Sequence, residues 1–158
     1  MTRPRKRSKP SSIFPPVLVF LLATVAAVAI NEVLKPLPIA PGNVIRIAVG
    51  PVLVLIGAVL WVLAWREFRR QGEVFGHQYT TETVVTGGPY AFSRHPAYLA
   101  YAVMMAGLGL LMDNAWIMFL LPIPVLVADA AARREETYLM AKHESQYRPY
   151  RSEVRRWI

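Results

Sequence analysis

Arg94 and His95 are followed at once by Pro96 and, three residues after the histidine, by Tyr98; further along stand two adjacent carboxylates, Glu135 and Glu136. A guanidinium, an imidazole, a phenol and two carboxylates can hold an anion, move a proton, or bind ribose hydroxyls and amino groups through charge-assisted hydrogen bonds. Pro96 suits the first position of a helix, which makes His95 its cap and leaves backbone N–H groups aimed past it. A carboxylate or phosphate there gains from those amides, from Arg94 and from the helix dipole, the last worth about 0.3–1 kcal/mol when exposed. Tyr98 falls on the same helix face as His95 and offers a ring to an adenine or a sulfonium. The carboxylates follow Arg133 and Arg134, and the plain reading of those four charges is a solvated, salt-bridged stretch of helix. They matter to His95 only if the fold returns them to it.

The elements that decide this are membrane-length. The chain has 158 residues, enough for one domain, and 54% of it is apolar, high for a protein that lives in water. Residues 13–30 and 47–65 carry no charge, and at about 1.5 Å per residue each approaches the ~30 Å hydrocarbon thickness of a bilayer. Two further uncharged stretches, 96–112 and 114–128, are shorter and cross only with tilt or local thinning. The expected architecture is all-α and polytopic: four transmembrane helices over about 13–34, 44–66, 96–112 and 114–132, forming one domain from residue 13 to 158. A basic tail, 1–12, precedes it and is expected to be disordered or to lie on lipid. The apolar run from residue 13 is longer than a signal-peptide core, so a retained anchor is expected.

Residues 35–43, with three prolines and a glycine, read as a short connection. Residues 67–95 form the longest loop, and residues 112–114 are so short a link that the third and fourth spans must be antiparallel neighbours. Pro122 and Pro124 should kink the fourth span, which then continues beyond residue 133 as a cytoplasmic helix and tail. This hairpin is what would carry Glu135 back to the level of His95.

Charge sets the expected orientation. Of the 18 Lys and Arg, all but Lys35 and Arg46 fall on one side of a four-span arrangement, so the positive-inside bias puts both termini and the 67–95 loop in the cytoplasm. The net charge of +8 then faces anionic headgroups, and no nucleic-acid partner is expected. With no cysteine, disulfides, thiolate metal sites and cysteine nucleophiles are excluded. His77 and His143 have no partners at metal-ligand spacing, so no metal is expected.

Taken in order, Gly88 and Tyr90, then Arg94-His95-Pro96 and Tyr98, a short helical hairpin, Glu135-Glu136 with Leu139, and the pair Tyr147 and Tyr150 resemble the membrane isoprenylcysteine carboxyl methyltransferases and the related phospholipid methyltransferases. Val154 to Trp157 resembles the terminal Val-Pro-Arg-hydrophobic of that family, with Arg155 in place of the proline. The resemblance covers the C-terminal half. It implies S-adenosylmethionine as methyl donor, held in a cytoplasm-facing pocket by Tyr90, His95, Pro96, Ala97, Tyr98, Glu135 and Glu136 and bordered by Val84 and Val85, with a lipid-like or lipidated acceptor arriving from the bilayer. Arg94, His95 and Glu135 are the expected catalytic groups, Glu135 the stronger of the two carboxylates. The prenylcysteine enzymes carry an arginine four residues before the first glutamate; Ala131 stands there, leaving Arg133 or Arg134 to meet a substrate carboxylate.

Methyl transfer at a sulfonium needs alignment and dryness more than acid–base machinery. An anionic carboxylate acceptor needs no base; an amine acceptor must lose a proton, to His95, Glu135 or Asp129. Asp129, an acid inside a nominal span, is expected to pair with Arg94 or Arg133 or to serve the site. Gly107 and Gly109 read as helix-packing residues, and Tyr90, Tyr101 and Trp157 as interfacial anchors. Two other functions stay open on the residues alone: a membrane reductase using NADPH, because sterol reductases resemble this C-terminal topology, and a non-catalytic membrane subunit.

Overall fold

The computed structural model describes residues 15–39, 43–71 and 83–158; the basic tail, residues 40–42 of the first connection and residues 72–82 of the long loop, His77 included, lie outside them. Among the described residues six α-helices follow in order: α1 (Pro16–Val33), α2 (Asn43–Arg70), α3 (Pro96–Leu111), α4 (Ala115–Leu120), α5 (Pro122–Lys142) and α6 (Glu144–Glu153), with a 3₁₀ turn, Gly88–Ala91, before α3. Among the described residues there is no strand. Three stretches are long and apolar enough to cross a bilayer, Pro16–Val33, Arg46–Arg70 and Ala115–Lys142. Against four expected spans, α3 is an apolar helix of only 16 residues, about 24 Å at 1.5 Å per residue.

Local chemistry sets the ends. Pro15 caps α1 and Pro16 opens it, where a missing N–H costs least. α2 continues past the expected stop at Arg66 to Arg70, its last turn joined by Gln71 donating to Glu67 at 3.2 Å. Leu121 ends α4 and begins α5 in one helical residue, with Leu121 N–H donating to Ile117 at 3.0 Å and Val125 N–H to Leu121 at 3.3 Å. The break therefore falls where Pro122 and Pro124 supply no N–H, and beyond it α5 runs unbroken past residue 132 to Lys142.

α2 lies along α3, and the fit depends on glycine. A Cβ added at Gly57 would stand 2.8 Å from the Ala100 carbonyl, and one at Gly107 2.8 Å from the Val54 nitrogen and 2.9 Å from the Gly50 carbonyl. In lipid, where tails are as apolar as leucine, such close backbone approach is what joins helices. α1 packs across α3, α4 and α5 around Phe20, Ala27, Tyr98, Met105, Ile117, Ala128 and Ala132. Leu22, Leu55 and Leu126 face outward, as lipid-facing residues do.

At the end of α3 away from His95, the chain leaving α1 is stitched to the turn before α4. Ala115 N–H donates to Leu37 at 2.8 Å, Ile39 N–H to Asp113 Oδ1 at 3.0 Å, Trp116 Nε1 to Lys35 at 3.2 Å, and Asn114 Nδ2 to Ala27 at 3.3 Å. Asp113, at φ 51°, also pairs with Arg46; aspartate is one of the few side chains that tolerates this left-handed backbone.

Candidate functional site

Gly87 and Gly88 turn the chain toward α3, Gly88 at φ 57° and both against the Glu67 side chain. The 3₁₀ turn that follows buries Pro89 and Tyr90, and Tyr150 of α6 fixes it by donating its hydroxyl to the Tyr90 carbonyl at 2.7 Å. Val85 is buried with Tyr90 and Ala64, with Ala97 and Phe68 against them, and Val84 is half-buried. Ser93, fully buried, accepts from His95 N–H at 3.3 Å. His95 then caps α3 and Pro96 takes the first helical position, as the sequence order requires.

His95 is the centre of the arrangement. Its Nδ1 lies 3.5 Å from Glu135 Oε2 and its Nε2 3.3 Å from Glu136 Oε1. Its ring stacks on Tyr98 at 5.6 Å and 2°, and the Tyr98 hydroxyl donates to Glu135 Oε1 at 2.7 Å. A neutral imidazole can donate to only one of the two carboxylates, an imidazolium to both.

The two glutamates differ. Glu136, with 4% of its side chain exposed, meets Arg94 at 3.1 Å and accepts a fork from Arg156, Nε at 2.7 Å and an Nη at 3.1 Å. Glu135 keeps 29% exposure, with one oxygen 3.5 Å from His95 Nδ1 and the other accepting from the Tyr98 hydroxyl at 2.7 Å. The buried ion cluster thus forms on Glu136, while Glu135 is the more exposed of the two carboxylates.

The phenols around the loop are held neutral. Burial, then the nearby Glu135 charge, pushes the Tyr90 hydroxyl well up from its ordinary range. Burial likewise raises Tyr150 and Tyr147, the latter against the pull of Arg94. Such shifts keep these phenols protonated, and the Tyr150 hydroxyl remains a donor to the Tyr90 carbonyl.

Of the residues singled out from sequence, Arg94, His95, Tyr98, Glu135 and Glu136 come together, Pro96 follows His95 at the helix start, and Ala97 packs against the Val85–Tyr90 cluster; Val84 is half-buried beside Val85. Arg133 and Arg134 do not join: Arg133, two-thirds exposed, turns to Asp129 at 2.7 Å, and Arg134 is exposed. Asp129 also accepts from Arg156 at 3.4 Å and from Trp157 Nε1 at 3.3 Å. Trp157 is therefore no mere interfacial anchor; its ring lies 6.0 Å from that of His95. Arg156 is the residue that sequence reasoning missed, although the motif-like segment Val154 to Trp157 contains it.

A bundle of membrane-length helices whose one buried ionic cluster among the described residues gathers at a His-Pro helix start defines a membrane-embedded protein built around a polar site. The chain belongs to the phospholipid methyltransferase family, whose model matches residues 45–146, well over half its length. That is a methyltransferase family with lipid substrates, and the apolar helices of this chain put it in the membrane with them. Among curated proteins and among solved structures, none matches the chain.

Proposed function

We propose that this protein transfers the methyl group of S-adenosylmethionine to the amine of a phospholipid headgroup, at the start of α3. The observation that carries the reading is His95 set between two carboxylates, 3.3 and 3.5 Å away, inside the family-matched segment. The groups present suit the donor. The stacked His95 and Tyr98 rings offer π-faces to an adenine or a sulfonium, and Glu135, partly exposed, suits ribose hydroxyls or an amino group. Tyr90, Val84, Val85, Pro96 and Ala97 supply an apolar wall.

Bound there, S-adenosylmethionine supplies a methyl carbon on a sulfonium, so the acceptor's lone pair forms the new N–C bond as the C–S bond breaks and S-adenosylhomocysteine leaves as a neutral thioether. The protein's part is to align, to keep water out and to take the proton that a headgroup ammonium must lose before it has a lone pair. Glu135 takes it, with the Tyr98 hydroxyl hydrogen-bonded to one of its oxygens and His95 Nδ1 3.5 Å from the other. An amine acceptor also suits the charges better than a carboxylate. Arg94 and Arg156 face Glu136, Arg133 faces Asp129, and Ala131 is buried where the prenylcysteine enzymes carry an arginine.

Titration of the purified protein in micelles tests this. S-adenosylmethionine is expected to bind in the micromolar range and NADPH not to bind; His95→Ala should weaken donor binding at least about tenfold, roughly 1.4 kcal/mol. Binding of NADPH alone, or unchanged donor affinity in the variant, would remove the assignment.

The same reading makes α3 a short fourth span and leaves both termini on the cytoplasmic side with the site. Arg66, Arg69, Arg70 and Arg94 support it, joined by the basic residues from Arg133 onward, because such residues are retained inside. Labels at residues 1 and 158 should be accessible from one side only, the same one; opposite sides would contradict the topology.

A further inference from the structure

Residues 154–158 follow α6 and run back under the start of α3. Arg94 N–H donates to the Arg155 carbonyl at 3.0 Å, and the Ser93 hydroxyl to the Arg156 carbonyl at 3.2 Å. These two bonds fix the backbone of the tail to the residues just before His95. Its side chains then enter the ion cluster: Arg156 reaches both oxygens of Glu136 and touches Asp129, while Trp157 bonds Asp129 and covers His95. Arg156 and Trp157 lie beyond the family-matched residues 45–146.

We propose that Arg156 is a positioning residue for methyl transfer, its guanidinium fork orienting the Glu136 carboxylate and, through it, the His95 ring. The inference rests on the proposed function. Glu136 Oε1 is shared: it accepts from Arg156 Nε at 2.7 Å and faces His95 Nε2 at 3.3 Å. A carboxylate held through both oxygens by a planar fork cannot rotate, so the atom facing His95 is fixed. With Nε2 anchored, the ring presents Nδ1 to Glu135, the carboxylate on the ligand side. The other neighbours of the ring are Tyr98, stacked on it, and Trp157; Arg94 acts on the same Glu136 from the opposite chain segment. Among the described residues the ionic partners of Arg156 are Glu136 and Asp129, and its effect on the ligand side passes through them. Trp157, bonded to the same Asp129 oxygen as Arg156, keeps the fork in place.

The test is a double-variant cycle in the full chain, in micelles, with donor affinity, kcat and thermal stability all measured. Arg156→Ala is expected to lower kcat about 100-fold, the scale of a small misplacement at a reacting centre, while donor Kd moves less than about threefold. Added guanidinium should restore part of kcat well below the melting temperature, which a purely structural staple would not do. In Arg156→Ala with Glu136→Gln the loss should be no greater than in Glu136→Gln alone, because both act through one contact. Should Arg156→Ala not fold, Arg156→Lys serves: an ammonium lacks the fork, and kcat should fall about tenfold with donor binding retained. Losses that multiply in the double variant, or a kcat within about threefold of the parent in both Arg156 variants, overturn the inference alone. Failure of the unsubstituted chain to bind S-adenosylmethionine overturns the proposed function and this inference together.

Discussion

Glu136→Ala is expected to cost about 3–5 kcal/mol of stability, the scale for leaving buried charges without their partner. Arg94, its side chain 10% exposed, and the fork of Arg156 would both lose their counter-charge. The damage should spread, because the same carboxylate ties three chain segments: the loop before α3 through Arg94 and His95, α5 through its own backbone, and the tail through Arg156. Glu136→Gln keeps the shape and an acceptor oxygen and should lose less. Unfolding in micelles, followed by helicity as denaturant is raised, measures both. A loss below about 1 kcal/mol for the alanine variant, the level of an exposed pair, would mean that the cluster is solvated and holds nothing together.

The second large effect is on rate. Glu135→Gln should lower methyl transfer to an amine-headgroup phospholipid by about 10²–10⁴-fold, the range for a positioned base, while the protein stays folded. The reason is the division of labour between the glutamates. Glu136 is bound up with arginines, whereas Glu135, part-exposed, meets Tyr98 at 2.7 Å and His95 at 3.5 Å. Raising the pH should recover part of the lost rate, since more of the headgroup amine is then already deprotonated and needs no base. The sign separates two accounts: a variant that had merely lost donor affinity would be rescued by more donor and not by higher pH. A rate within about threefold of the parent at every pH would remove the base assignment.

The sequence made the meeting of these groups predictable. A cap-like histidine before a proline, and a link of residues 112–114 too short for anything but a reversal, imply that acids beyond the next apolar helix come back to the histidine. His95 does cap α3, and both acids do reach it. Gly107 and Gly109 are at close contacts, as their position between apolar residues suggested. Which carboxylate is buried was not legible. Glu135 and Glu136 are adjacent and chemically alike, and only the rotation of α5 about its axis, set by packing of Ala128, Ala131 and Ala132, decides which one turns inward. The part played by Arg156 was hidden for another reason. The likeness of Val154 to Trp157 to a terminal motif marked the segment, but Arg-Arg-Trp-Ile reads equally as a basic tail on lipid; the difference lies in Ser93 and Arg94, which capture its backbone more than sixty residues away. Arg133, four residues from Asp129 on one helix, takes that local partner, one of the two pairings expected for Asp129.

The clasp at the opposite end has a bearing on how such a chain is assembled. Residues in or just after α1 find their hydrogen-bond partners 74 to 87 positions later. Helices placed in the bilayer one at a time can each complete their own backbone bonds, but this corner closes only by their lateral association, once residues 113–116 have been made. Until then the Leu37 and Lys35 carbonyls must be served by water, so the first helix enters the membrane before its final neighbours exist. At this end, maturation therefore exchanges water on the Leu37 and Lys35 carbonyls for the N–H groups of Ala115 and Trp116 and brings Arg46 to Asp113.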